Sequence, residues 1–336
     1  MKKITVLGAG TWGCALTILL ANNGHDVTLW SAMESEINNI GNDRNKIKGL
    51  PDATMPNQVK LTLNLDEATN DKDIIVFAVA SPYIRQTANK VKTYIKNKQI
   101  IVNVAKGIEE STLNSMSDII SQEIPQADVA VLSGPTHAEE VSRGIPTTIV
   151  VGANSIETAK YIQDAFMSEV FRVYTSPDII GIEIGASLKN VIALAAGIAD
   201  GLGYGDNTKS ALMTRGIAEI TRLGIKLGGK TETFYGLSGV GDLFVTCTSM
   251  HSRNRKAGYL IGQGLSMDQA MKEVNQIVEG VYSAKAAYAL ANKNNVEMPI
   301  VEQINQVLFE GKSPDDAVTD LLMRDRTKEH SALEWD

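Results

Sequence analysis

The chain has 336 residues, 43% hydrophobic and 21% charged; at roughly 100–200 residues per domain this suggests two domains, able to bury a core without disulfide or metal staples. Acidic residues number 39 against 32 basic ones, a net charge of -7, which disfavours non-specific nucleic-acid binding and requires any anion site to be built from local cations. Two cysteines, Cys14 and Cys247, with no CxxC and no His/Cys cluster, point to free thiols in a reducing compartment, the cytoplasm, and to no structural zinc.

Met1-Lys2-Lys3 followed by the uncharged residues 4–24 mimics a leader or a membrane span. That stretch holds Gly8, Gly10, Gly13, three threonines and Asn22-Asn23 but no small-x-small cleavage site, so it reads as a buried strand and helix, with no integral membrane segment expected. Residues 4–7, 27–30, 74–79, 100–104 and 129–132 form short, nearly continuous apolar runs, as strands buried on both faces do. Between them lie helical patterns at 12–23 and 84–95, and a third opened by Ser111-Thr112 and running to about Glu123. The alternation predicts right-handed βαβ units and a parallel sheet. Residues 147–151 and 170–174, with a helix at 156–166 between them, extend the sheet at its edge. From Pro177 onward only helical patterns follow, at 178–199, 209–227, 253–263, 267–274, 281–292, 299–309 and 314–322. No Pro- or Ser-rich linker separates the halves, so they are expected to pack directly around a cleft, and the polar tail 328–336 is expected to be mobile.

Gly8-Ala9-Gly10-Thr11-Trp12-Gly13 stands directly between the first strand and the first helix, the context that gives GxGxxG its meaning. Gly8 allows the tight turn, Gly10 lets the backbone approach a pyrophosphate, Gly13 permits close helix–sheet packing, and the helix start attracts phosphate charge. The alternative is a Gly-rich turn without a ligand. The fold class that follows is α/β: an N-terminal Rossmann-like doubly wound sheet binding a dinucleotide, residues 1–176, then an all-helical C-terminal domain for substrate binding and catalysis, residues 177–336. An acidic residue about 20 positions beyond the glycines commonly binds the ribose 2′-hydroxyl of NAD. Here the second strand ends Leu29-Trp30-Ser31-Ala32, with no carboxylate before Glu34. A 2′-phosphate is therefore permitted, although no arginine stands there to bind it. The cofactor is NADP or NAD, with a lean to NADP and with Ser31, Arg44, Lys46 or Lys48 as partners for the phosphate.

The segment 179–194 is apolar on almost every helical face and belongs in the interior, where Lys189 is one of very few charges. Desolvation draws a lysine pKa toward neutrality, as a general acid/base for a carbonyl/alcohol pair requires; the alternative is a lysine that snorkels or pairs with a carboxylate. Lys106 follows the strand 100–104, at the carboxyl end where ligands bind open α/β sheets. Gly134-Pro135-Thr136-His137-Ala138-Glu139 follows another strand end and offers N–H groups to a ligand, or is an ordinary turn into a helix capped by Thr136. Asp242 lies in the Gly-rich turn 236–243, as a functional carboxylate or an N-cap. Ser252-Arg253-Asn254-Arg255 combines two guanidinium groups with a helix start, a phosphate grip. His137 and His251 lack partners at metal-ligand spacing and read as structural or peripheral; no metal site is expected.

Taken in order, GAGTWG at 8–13, NGHDVTLW at 23–30, AKGIE at 105–109, SGPTHAEEV at 133–141, SLKNVIALAAGIADGLGYGDNTKSALMTRG at 187–216, GLSGVGDLFVTC at 236–247, SRNR at 252–255 and VEGV at 278–281 closely resemble the bacterial type of NAD(P)-dependent glycerol-3-phosphate dehydrogenase. The resemblance runs to about Arg326. It implies reversible hydride transfer between a nicotinamide ring and C2 of dihydroxyacetone phosphate or sn-glycerol 3-phosphate, supplying glycerol 3-phosphate for phospholipid synthesis. By the same resemblance Lys189 accepts the proton in alcohol oxidation and donates it in ketone reduction, while Lys106 and Asp242 hold and polarise the substrate. Gly134, Thr136, Ser252, Arg253 and Asn254 would also contact the substrate. Cofactor contacts would fall on Gly8, Gly10, Thr11, Trp12, Gly13, Lys106, Ala138, Arg253, Ile277 and Glu279. The family also implies a homodimer.

Three departures stand out. Ser31-Ala32 replaces an arginine or histidine often found after the second strand, which puts NADP preference in doubt. Thr136 stands where serine is common and keeps the hydroxyl. Ala78-Val79-Ala80-Ser81-Pro82 replaces a Val-Pro-Ser order, so the loop over the nicotinamide is expected to differ in shape. Two rival readings are a β-hydroxyacid dehydrogenase of related fold, disfavoured by the 252–255 grip and the Asp242 turn, and a non-catalytic dinucleotide sensor, which has no need of a buried Lys189.

Overall fold

The computed structural model describes residues 1–326 together with Lys328 and Glu329; all but these two residues of the tail expected to be mobile lie outside the described residues. Eight strands form one sheet: β1 (Lys3–Leu7), β2 (Asp26–Trp30), β3 (Lys60–Thr62), β4 (Ile74–Phe77), β5 (Ile100–Asn103), β6 (Asp128–Ser133), β7 (Thr147–Gly152) and β8 (Phe171–Ser176). Their spatial order is β3-β2-β1-β4-β5-β6-β7-β8, so the chain reverses direction of growth between β1 and β4. The crevice beyond the carboxyl ends of those two strands is where such sheets bind ligands. The helices interleaved with the strands are α1 (Thr11–Asn22), α2 (Glu34–Asn42), α3 (Leu65–Thr69), α4 (Ile84–Val91), α5 (Met116–Glu123), α6 (Ala138–Val141) and α7 (Ile156–Phe166).

Both sheet faces are apolar because successive residues point to opposite sides. Ile4, Val6, Ile74 and Val76 pack with α1 residues such as Leu16 and Leu20. Leu7, Ile75, Phe77 and Ile101 pack on the other side with Ile84 and Ala88 of α4 and Ile119 and Ile120 of α5.

The parallel expectation holds from β3 through β6 and again for β7 with β8, but β6 and β7 pair antiparallel. Their connection, residues 134–146, contains only the four-residue α6, too little helix to carry the chain back along the sheet for a parallel return. The third predicted helix begins late. Residues 109–114 form a turn with Leu113 at φ 62°, and Ser115 caps α5 in a reciprocal box with Asp118. The short edge strand β3 was not expected; three residues carry too little pattern to register.

From Ile179 on, the described residues contain helices and no named strand: α8 (Ile179–Gly201), α9 (Asp206–Lys226), α10 (Thr231–Phe234), α11 (Asp242–Thr248), α12 (Arg253–Gly262), α13 (Met267–Val274), α14 (Glu279–Asn294), α15 (Pro299–Phe309) and α16 (Pro314–Leu322). Every residue of α8 from Gly181 to Ala199 is buried. This helix is long and apolar enough to cross a membrane, yet α9, α11, α12 and α14 surround it, so its all-round hydrophobicity is that of a central core element.

Candidate active site

The glycine turn is built by close approach. At Gly8, with φ 119°, a Cβ would lie 2.8 Å from the Ala78 carbonyl, and at Gly13 it would lie 1.9 Å from the Gly8 carbonyl oxygen. A Cβ on Gly10 would meet nothing within 4 Å, so the backbone there faces open space. No side chain caps α1 and no acidic residue occupies its first turn, which leaves first-turn N–H groups unclaimed and an uncompensated positive helix end. An exposed, donor-rich turn of this shape fits a pyrophosphate. Thr11 Oγ1 donates to the Lys48 carbonyl at 3.2 Å, bringing the loop after α2 against the turn, and Trp12 is half-buried in it.

Three charged side chains meet across the two halves of the chain. Lys189, 5% exposed, donates from Nζ to Asp242 Oδ1 at 2.7 Å and to Thr246 Oγ1 at 2.6 Å. Lys106 donates to the other carboxylate oxygen of Asp242 at 2.6 Å and to the Gly134 carbonyl at 3.1 Å. Asp242 therefore bridges two ammonium groups, and the cluster carries a formal excess of one positive charge in a site shielded from water. Burial pushes the Lys189 pKa down to about 8 against the upward pull of Asp242, and the Lys106 charge lowers it further. Burial also pushes the neighbouring Cys247 thiol up to about 12, so it stays neutral. The arrangement suits a negative charge developing on a bound oxygen.

Local chain geometry makes the convergence possible. Residues 237–241 form one π-helical turn that brings Asp242 to the start of α11. A Cβ on Gly185 of α8 would lie 2.7 Å from the Ser238 carbonyl oxygen, so the turn rests directly on the helix that carries Lys189. Asp242 is thus the first residue of α11, with Gly241 as the cap.

The remaining expected positions fall around this cluster. Thr136 Oγ1 donates to the Gly134 carbonyl at 3.1 Å, the acceptor that Lys106 also uses. Ser252 caps α12 by accepting from the Arg255 N–H. Arg253 is exposed and makes no ion pair among the described residues, which leaves its guanidinium for a ligand anion. Arg255 does not join it: both its Nε and Nη2 are held by Asp200, so the two-guanidinium grip reduces to one. The Asn254 side chain is also committed, donating to Asn190 Oδ1 at 2.9 Å and accepting from the Gly280 N–H at 2.8 Å. It thereby pins the starts of α12 and α14 beside Lys189. Ala138 opens α6, whose N-cap is His137 and not Thr136. Ile277 is half-buried just ahead of α14. Glu279, the first residue of α14, accepts from the hydroxyl and N–H of Ser81, tying the loop after β4 to the helical half.

Several residues of the site were not singled out from sequence. Thr246 lies one turn beyond Asp242, a spacing visible only once α11 is known. Glu183, on α8, is a fully buried carboxylate that accepts from the Ser117 N–H at 2.9 Å, the Ser117 hydroxyl, and Asn103 Nδ2 at 3.2 Å. Asn103 in turn holds both the N–H and the carbonyl of Ala105 at 3.1 Å, the residue before Lys106; a glutamate inside an apolar helix was the available signal. His137 lies nearer the centre than a peripheral reading implies. Burial and the charges of Lys189 and Lys106 lower its pKa, and its Nε2 is buried without a partner among the described residues.

Comparisons with known proteins agree with one another. The family model for the NAD-dependent glycerol-3-phosphate dehydrogenase N-terminus matches residues 3–159, and that for the C-terminus matches residues 178–319. The chain is 58% identical over 335 residues to glycerol-3-phosphate dehydrogenase [NAD(P)+] of Agathobacter rectalis, covering 100% of both chains. It is 58% identical over 331 residues to the Fusobacterium nucleatum protein of the same name, covering 98% of this chain and 99% of that one. A crystal structure of glycerol-3-phosphate dehydrogenase from Coxiella burnetii superimposes with a TM-score of 0.93 at 35% identity, covering 96% of this chain and 99% of that one.

Proposed function

The chain belongs to the NAD-dependent glycerol-3-phosphate dehydrogenase family, and we propose that its Lys189–Asp242–Lys106 cluster carries the proton chemistry of that reaction. The protein is an NAD(P)-dependent oxidoreductase interconverting sn-glycerol 3-phosphate and dihydroxyacetone phosphate. The observation that carries the site assignment is the buried Lys189 ammonium, 2.7 Å from Asp242, in a cluster with one more positive than negative charge.

The nicotinamide coenzyme, when bound, supplies or removes the hydride at C2. Lys189 holds the proton that goes to the C2 oxygen in ketone reduction and takes it back in alcohol oxidation. Asp242 keeps two ammonium groups within a few ångströms of each other and orients both. Lys106, anchored on Asp242 and the Gly134 carbonyl, turns its remaining N–H toward the substrate oxygen. Gly134 and Thr136 line the same side. At the other end the start of α12, with Ser252 as cap and Arg253 unpaired, receives the substrate phosphate, while Asn254 fixes that helix end. The glycine turn, Thr11, Trp12, Ala138, Ile277 and Glu279 frame the coenzyme. A homodimer in the cytoplasm, supplying glycerol 3-phosphate for phospholipid synthesis, completes the reading.

The test mixes purified protein with dihydroxyacetone phosphate and NADH or NADPH and follows the nicotinamide absorbance. Oxidation of at least one coenzyme is expected, and Lys189→Met should slow it by about 10²–10⁴-fold while leaving coenzyme binding intact. Absence of turnover with both coenzymes would overturn the activity, and full turnover by Lys189→Met would overturn the role of Lys189.

A further inference from the structure

Resting on the reading of the glycine turn as a dinucleotide site, we propose that Glu36, held in place by Ser31, takes the adenosine ribose 2′-hydroxyl and makes the protein selective for NAD(H) over NADP(H). The sequence alone leaned the other way, because no carboxylate ends the second strand. The structure supplies one from the next helix.

Gly8 N–H donates to the Trp30 carbonyl at 2.8 Å, and Leu7 is in register with Trp30, so the residue after Trp30 stands beside the glycine turn. That residue, Ser31, is 3% exposed. Its hydroxyl accepts from the Met33 N–H at 3.0 Å and donates to Glu36 Oε2 at 2.6 Å. The first turn of α2 thereby folds its carboxylate back over the end of β2. Glu36 is half-buried, and its second oxygen, Oε1, accepts no hydrogen bond among the described residues. A free carboxylate oxygen at the end of β2 is an acceptor for a ribose hydroxyl and a repulsive partner for a phosphate in the same place.

Two of the three nearby cations that could offset this repulsion are engaged by other groups, and the third, Lys48, follows them on the loop beside Thr11. Arg44 donates to the Val59 carbonyl at 3.3 Å. Lys46 lies 3.7 Å from Asp43. Lys48 is exposed, and its carbonyl faces Thr11; it is the cation a phosphate-tolerant variant would recruit.

The experiment titrates the full chain, without substrate, with NADH and NADPH in a calorimeter and compares wild type with Glu36→Gln and Ser31→Ala. Wild type should bind NADH at least about tenfold more tightly than NADPH, and Glu36→Gln should close that gap by about tenfold, mainly by tightening NADPH. Ser31→Ala, which releases the carboxylate without removing it, should close it in part. Added salt should narrow the wild-type gap, since the repulsion is partly exposed. NADPH binding as tight as NADH in wild type, or a ratio unmoved by Glu36→Gln, would overturn the proposal while leaving the dinucleotide site standing. Binding of neither nucleotide would overturn both.

Discussion

Lys189 sits where two effects oppose each other. Burial favours the neutral amine, Asp242 favours the ammonium, and burial wins by enough to bring the pKa to about 8. The two directions of the reaction need opposite forms. Alcohol oxidation should rise with pH and level off above about 8 as the amine becomes available, and ketone reduction should fall over the same range. Initial rates against pH in both directions check this, and a common rising limb would contradict it. Thr246 refines the balance, since its hydroxyl donates to the Asp242 carbonyl at 2.6 Å and so presents lone pairs to the ammonium. Thr246→Val removes an acceptor that stabilises the charged form, so the oxidation limb should move toward acid by about 0.7 pH unit, the equivalent of one hydrogen bond of about 1 kcal/mol. A limb that stays in place would show that burial and the Asp242 and Lys106 charges set the lysine without Thr246.

Among elements, α8 and α12 show what glycine contributes to the site. They cross backbone to backbone: a Cβ on Gly197 would lie 2.1 Å from the Arg255 carbonyl oxygen, and one on Gly258 would lie 2.1 Å from that of Leu194. Gly258→Ala should therefore force the helices apart and cost about 3 kcal/mol, read as a lower urea midpoint. Gly41→Ala in α2, where a Cβ meets only the Leu61 side chain at 3.9 Å, should raise stability by up to about 1 kcal/mol through helix propensity. Equal shifts for the two would contradict the close-packing account. Elements of this kind were legible in the sequence because their signals are local: α8 is apolar all round, and the strands of the first half are β-branched runs. Signals that depend on pairing were not. The direction of β7 depends on how far a thirteen-residue connection can travel, and the start of α5 depends on Ser115 outcompeting Ser111-Thr112 through a box with Asp118. The site divides the same way. Lys189, Lys106 and Asp242 stand in recognisable local contexts, whereas Arg255 was lost to Asp200, 55 residues away, and Glu36 was hidden because a serine, not the strand itself, delivers it.

Across the whole molecule, two carboxylates, the buried Glu183 and the half-buried Glu279, join the N-terminal half to the helical half. Glu279 holds the Ser81 loop, and Glu183 holds Ser117 and Asn103. The second link bears on catalysis because Glu183 and Lys189 share α8, while Asn103 grips the residue before Lys106. One helix thus fixes both lysines, the first through its own backbone and the second through a chain of hydrogen bonds. Burial raises the Glu183 pKa, opposed by hydrogen bonds from Ser115 and Ser117. Glu183→Gln should retain most of the activity, since its carbonyl oxygen still accepts from the Ser117 N–H and the Ser117 hydroxyl can turn to accept from the new amide. Glu183→Ala leaves buried donors unpaired at about 1–3 kcal/mol each and releases Asn103, so the Lys106 loop loses its tether. On the proposed substrate role of Lys106, the KM for dihydroxyacetone phosphate should then rise more than that for the coenzyme, because the glycine turn follows a different strand from the Lys106 loop. Parallel kinetics and thermal melts decide the matter: a lower melting temperature with both KM values unchanged would make Glu183 a structural residue only, whereas a substrate-specific rise in KM that Gln largely rescues would show that the domain contact positions the catalytic lysine.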